Sequence, residues 1–227
     1  MIVVLAVSLI IGIVVWAIIS EKKKDAGRRD KAMMRGWRYE SARGNRQGFS
    51  VEGFGGSLTW RLEERRSGGK NDQRPLYFLC RDLRYDQGIF LFGDKREVGV
   101  LQKPFMQYIL KLGAKMAKGP ESQRMEALTH LGEAQTVEIP DSGGKWNYEA
   151  LATRPEFAMK VLGAGLQAEY DALSQQKLGA YYAPSVMLSG EGMEIKWGSR
   201  SVDAEKMEII IDSSVRVMGI LSQAVRG

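Results

Sequence analysis

The sequence predicts an α+β protein in which one N-terminal transmembrane helix leads into a cytoplasmic, antiparallel β-rich domain with packing helices and a long C-terminal helix. Three observations predict it. Residues Ile2 to Ser20 carry no charge and only two hydroxyls, Ser8 and Ser20. Several later segments alternate bulky and polar residues with the period of two that marks half-buried strands. The final segment repeats apolar residues at three- and four-residue spacing, the mark of a helix lying on a core.

Ile2 to Ser20 is long enough, at about 1.5 Å per residue, to cross most of a ~30 Å hydrocarbon core. It lacks the basic start and the small-x-small end of a cleaved signal peptide. The basic run Glu21-Lys22-Lys23-Lys24, followed by Arg28-Arg29, places its C-terminal flank in the cytoplasm, with the N-terminus out. Lys22, Lys23, Lys24, Arg28 and Arg29 are read as this topology signal and as neighbours of lipid headgroups. Ser8, Gly12 and Trp16 share one face of the helix, and Ser8-x-x-x-Gly12 is a small-x-x-x-small pair suited to helix packing in a membrane.

The net charge of +6 at first suggests a nucleic-acid partner. Its placement argues against one. Between Glu21 and Arg46 stand ten bases and four acids, which is the whole excess; residues 47 to 227 hold 23 of each sign. The stretch 21–46 is expected as a basic stalk, either a polar helix or a linker. The body then divides into a β-rich part, 47–140, and a helix-strand-strand-helix part, 141–227, forming one unit or two.

Along the body, strands are expected at Trp37 to Ala42, Phe49 to Glu52 and Ser57 to Glu63, with Gly53-Phe54-Gly55-Gly56 as a hairpin turn. A polar loop runs from Arg66 to Asp72. Strands resume at Leu76 to Cys80 and Gly88 to Phe92. A helix from Phe105 to Ala117 presents Phe105, Ile109, Leu112 and Met116 on one face. A second runs from Ser122 to Leu131, and a short strand, Thr136 to Ile139, ends at Pro140. A long helix is expected from Pro155 to Leu173. A hairpin follows, Ser185 to Leu188 and Met193 to Trp197 around Gly190-Glu191-Gly192. The closing helix starts at an Asp203 N-cap and buries Met207, Ile210, Ile211, Ser214, Met218, Leu221 and Val225.

The chemistry-bearing residues are sparse. Cys80 is the one cysteine, so no intramolecular disulfide forms. His130 is the one imidazole, so no His-rich metal site forms within a chain. Nothing around either resembles a nucleophile motif. Ser67-Gly68-Gly69-Lys70 lacks the Ser/Thr and the following helix of a phosphate loop, and Gly53-x-Gly55-Gly56 and Gly163-x-Gly165 lack the spacing of a dinucleotide loop. Trp60, Trp146 and Trp197 read as core or loop-edge residues. Phe54, on a glycine-rich tip, is the one aromatic expected to meet a partner. The expectation is a protein without catalytic residues, metal or cofactor, and without a nucleic-acid partner.

The strand–strand–long-helix ending resembles the barrel-with-C-terminal-helix plan of PH-like modules. The run from Trp146 to Gly227 is similar to the ending of uncharacterised bacterial membrane-anchored α+β proteins. In size and layout the whole chain resembles a small single-pass accessory subunit of a bacterial photosynthetic reaction-centre–antenna supercomplex. That resemblance implies a bacterial inner membrane and a structural role: docking on and stabilising a larger integral membrane complex. The alternative is a membrane-tethered sensor or regulator that binds a peptide or a lipid headgroup. An enzyme with an unfamiliar site is the third reading.

Overall fold

The computed structural model describes residues 2–41, 48–65, 74–116, 120–139, 147–175, 184–198 and 202–227, with the side chains of 2–11, 14, 120–124 and 174 outside the description. Within these, nine strands form one sheet in the order β1-β2-β3-β4-β9-β8-β5-β7-β6, and every pairing is antiparallel. The strands are β1 (Arg38–Ser41), β2 (Phe49–Gly55), β3 (Leu58–Glu64), β4 (Leu76–Cys80), β5 (Phe90–Asp94), β6 (Gln135–Val137), β7 (Tyr148–Ala152), β8 (Pro184–Ser189) and β9 (Gly192–Trp197). The helices are α1 (Ile2–Met34), α2 (Lys95–Leu101), α3 (Pro104–Met116), α4 (Pro120–Thr129), α5 (Pro155–Gly163), α6 (Leu166–Ser174) and α7 (Ala204–Arg226). The sheet runs between two edges, β1 and β6, and is not the closed barrel of the PH-like plan.

The α+β class and the antiparallel sheet agree with the sequence. The transmembrane helix does not. Among the described residues no helix is long and apolar enough to cross a membrane. The expected span is the N-terminal part of α1. From Glu21 the same helix continues without a break through the charged run to Met34. The orientation argued from the flanking charges falls with the span.

The sheet explains why some strands alternate and others read as continuous apolar runs. Over β5, β7 and β8 both faces are covered. Phe90, Phe92, Ala150, Ala152, Val186 and Leu188 face the larger core, while Ile89, Leu91, Leu151 and Met187 face a smaller one. A strand buried on both sides has no polar side to show. On β3 a single face is covered: Leu58, Trp60 and Leu62 are buried and Thr59 and Arg61 exposed.

Helices α5, α6 and α7 close the larger core through Phe157, Val161, Leu166, Tyr170, Met207, Ile210, Ile211 and Leu221. On the other face, Val98 of α2, Ala127 of α4 and Leu131 of a single 3₁₀ turn (His130–Gly132) close the smaller core. Helix α3 lies outside this layer, packed on α4 and touching α2.

Asp203 caps α7 by accepting from the Lys206 amide at 2.9 Å, and Met207, Ile210, Ile211, Ser214, Met218 and Leu221 are buried as expected, while Val225 is half-buried. Inside α7, Ser214 accepts the indole N–H of fully buried Trp197 at 3.1 Å.

The expected helix 155–173 is two helices. Gly165 sits at φ 104°, a conformation that ends a right-handed helix and that glycine adopts without a Cβ penalty. Strand β7 and helix α2 were not anticipated. Strand β6 covers Gln135–Val137 rather than Thr136 to Ile139. The loop from Arg66 to Asp72, with Ser67-Gly68-Gly69-Lys70, falls outside the described residues, as do Pro140 and Trp146.

The glycine-rich hairpin also differs from expectation. Gly53, Phe54 and Gly55 continue strand β2, and the turn is Gly56-Ser57, with Gly56 at φ 64°. Gly53 pairs with Trp60, whose indole lies against it: a Cβ there would come within 2.3 Å of the ring. Gly53→Ala is expected to lower stability by about 1–3 kcal/mol through overpacking. Gly56→Asn, at an open left-handed position, should change it little. Urea unfolding of the two variants checks both.

Candidate functional site

The basic segment after Ser20 is the region whose structure departs furthest from its sequence reading. It is a docked helix. Gly27 brings α1 against the start of α7, where a Cβ would meet Ala204 Cβ at 3.8 Å. Arg28 then turns inward and is 4% exposed. Its Nη1 donates to the Val202 carbonyl at 2.8 Å, and its Nη2 donates to Glu21 Oε1 at 3.1 Å and lies 3.6 Å from Asp25 Oδ1. Its Nε donates to the Tyr39 hydroxyl at 3.4 Å, and the guanidinium stands 4.6 Å from the centroid of the Phe49 ring. Tyr39 in turn donates to Asp25 Oδ1 at 2.5 Å.

A buried guanidinium is costly unless its five donors and its charge are answered. Here a carbonyl, two carboxylates, a phenol and an aromatic face answer it. Burial alone would lower the Arg28 pKa, but the contacts with Tyr39 and Glu21 outweigh it and hold the value above the ordinary one. Burial, and then the hydrogen bond to Asp25, push the Tyr39 phenol well above its ordinary value.

Two further turns of α1 are clamped to α7. Lys31 pairs with Glu208 at 2.9 Å, and Arg35 pairs with Asp212 and lies 3.7 Å from Glu208. The helix ends in a Schellman-type turn: Trp37 N–H donates to Ala32 O at 2.8 Å and Gly36 N–H to Met33 O at 3.1 Å, with Gly36 at φ 69°. An aromatic chain carries this corner into the sheet. Arg35 lies over Trp37, Trp37 meets Trp60 edge-on at 5.6 Å, and Trp60 stacks on Phe78 at 5.3 Å.

The other residues singled out from the sequence are distributed as follows. Lys22 and Lys23 are exposed. Lys24 reaches Glu21 at 4.0 Å, and Arg29 pairs with Asp25 at 3.7 Å while staying exposed. Ser8 lies outside the described side chains. A Cβ at Gly12 would meet nothing within 4 Å among the described residues, and Trp16 is 71% exposed, together with Ile13, Val15, Ile18 and Ile19. The apolar part of α1 is therefore an arm that the body leaves uncovered. Phe54 is 77% exposed, in strand β2 beside the β2–β3 turn.

Cys80 and His130 are not brought together as a dyad. Cys80 is buried on β4, and burial raises its pKa. His130 is exposed at the 3₁₀ turn and lines an open cleft of about 580 Å³ with Asp86, Glu126, Glu133 and Glu191, to which Cys80 contributes nothing. Among the described residues no group of His, Cys, Asp and Glu is arranged to hold a metal ion.

No protein-family model matches the chain, and no curated protein matches it. Among solved structures, the chain is similar to the crystal structure of the mycobacterial trehalose monomycolate transport factor A, TtfA, at 9% identity and a TM-score of 0.44, over 89% of this chain and 94% of that one. A likeness of this degree carries no argument about function. That neighbour is a transport factor and not a photosynthetic subunit, so the expected photosynthetic role has no support.

Arg28→Ala is expected to cost about 2–3 kcal/mol, because Tyr39, Asp25 and the Val202 carbonyl lose their common partner. Arg29→Ala should stay within about 0.5 kcal/mol. Denaturant midpoints of the two variants provide the comparison. A second expectation concerns alkaline pH. The folded pKa of Tyr39 is raised above the unfolded value near 10.0, so the stability tied to its neutral form is complete below that value. It is lost as pH climbs through 10 toward the folded pKa. Tyr39→Phe should flatten the fall in stability above about pH 10, measured by urea unfolding across alkaline buffers.

Proposed function

We propose that this chain is a non-catalytic docking subunit of a larger membrane-protein complex, held by the exposed apolar arm of α1. The observation that supports this reading is the contrast within that one helix. From Arg28 to Arg35 it is fixed to the body by a buried guanidinium and two clamped bases. From Gly12 to Ile19 its described side chains are apolar and exposed on all sides. Apolar surface left in water costs about 25 cal/mol per Å², and a helix that is apolar all round is at rest only when enclosed.

A rigid body thus holds out an apolar rod at a set angle, which is the arrangement a docking element needs. Its fixed base lowers the entropy lost on binding. A partner with several helices could cover more than one side of the arm. Lys22 and Lys23, exposed immediately after it, suit headgroups or acidic groups at the rim of such a partner. Phe54 offers a second, smaller anchor at the far side of β2.

The test is extraction of the full chain from its native membranes in mild detergent, followed by native electrophoresis. The chain is expected to migrate in fixed ratio with one integral complex, and the pair Trp16→Ser and Ile19→Ser to reduce that recovery at least tenfold or so. Recovery of the unaltered chain as a free monomer would overturn the proposal.

A further inference from the structure

Helix α3 carries a second uncovered apolar face, on the opposite side of the sheet from α7. The sequence places Phe105, Ile109, Leu112 and Met116 on one face of a helix. The structure turns that face outward. Phe105 is 73% exposed, Tyr108 66%, Ile109 41%, Leu112 48% and Met116 76%. At 100° per residue these five side chains fall within an arc of about 100°.

The inner face of α3 is fixed. Leu110 is buried, Gly113 lets α4 approach so closely that a Cβ would meet Met125 Sδ at 2.6 Å, and Gln107 donates to the Leu101 carbonyl at 2.7 Å. The apolar arc points directly away from these contacts, so the helix cannot bury it by rolling over.

Charge identifies the occupant. No acidic residue stands between Lys103 and Met116. Lys111 and Lys115 are exposed and fall along one margin of the apolar arc, next to Tyr108, and Lys103 precedes the helix. Among the described residues no carboxylate pairs with any of the three lysines. An apolar face with aromatics, bordered by unpaired lysines whose stems can lie along it, is the pattern of a helix that rests in the plane of a lipid surface.

We infer that α3 is an interfacial helix that seats this face of the protein on an anionic lipid bilayer, with Phe105, Leu112 and Met116 among the acyl chains and Lys111 and Lys115 at the headgroups. The inference stands on α3 alone and does not depend on docking through α1.

Because α1 is itself apolar and basic, total binding to vesicles cannot test it, and the readout must sit on α3. In the full chain, Met116→Cys labelled with an environment-sensitive fluorophore supplies it, Cys80 being buried. Vesicles of phosphatidylcholine with about 30% phosphatidylglycerol should shift the emission to the blue, and brominated acyl chains should quench it. Pure phosphatidylcholine should do so far less. Lys111→Glu with Lys115→Glu should raise the lipid concentration needed for half the shift by about 20-fold or more, with circular dichroism unchanged. A probe that stays in water while the chain co-floats with anionic vesicles would overturn the inference. So would a shift that appears without lipid as protein concentration rises, which would assign the face to a second copy, or one unaffected by the two lysine reversals.

Discussion

The buried guanidinium of Arg28 is the constraint on which the rest of the arrangement depends. One side chain joins four parts of the chain: its own helix through Glu21 and Asp25, strand β1 through Tyr39, strand β2 through Phe49, and the approach to α7 through Val202. Its cost of burial is met only when all of these are in place. The angle at which α1 leaves the body is therefore set by the body's own folding. Lys31 and Arg35 add more exposed ion pairs, which stabilise less on their own but prevent rotation about the Arg28 contact.

This changes the meaning of the chain's charge. The excess of +6 lies within residues 21–46, where position alone suggests a solvated stalk. In the fold, part of that excess is internal wiring: Arg28 turns inward against Glu21 and Asp25 of its own helix, and Lys31 and Arg35 pair with Glu208 and Asp212 of α7. Exposed bases near the arm include Lys22, Lys23 and Arg29, and Lys103, Lys111 and Lys115 are exposed at α3. Both uncovered apolar surfaces thus carry exposed lysines at their margins, one on each side of the sheet.

Much of the fold was legible in the sequence, and the parts that were not have identifiable causes. Strands such as Leu76–Cys80 and the capped helix α7 follow from local pattern. Strand β7 was hidden because Ala150 and Ala152 have low strand propensity; β5 and β6 on either side of it impose the conformation. The break at Gly165 was hidden because a single glycine is compatible with a helix as well as with its end. Periodicity revealed the face of α3 but not its direction, since an apolar arc looks the same whether it faces a core or a bilayer. Arg28 was least legible of all. Its main acceptor, the Val202 carbonyl, lies at the other end of the chain, and no local pattern distinguishes it from Arg29, which stays at the surface. Of the residues singled out, Phe54 was expected on a turn and lies exposed in strand β2, and Trp16 was expected to pack in a membrane and lies exposed on α1.

The strand order carries a consequence for synthesis. Strands β4 and β5 follow one another in sequence but are separated in the sheet by β9 and β8, the last two strands to be made. Until that hairpin arrives, the nascent chain holds two incomplete sheets with unsatisfied inner edges, one of them the wholly apolar strand Leu76–Cys80. Such edges are templates for pairing with other chains. The C-terminal hairpin is the keystone that closes them, and α7, which follows it, supplies the surface on which α1 docks. The first helix made is thus among the last to find its place, and a chain that stops early is not a smaller version of this protein but a sticky one.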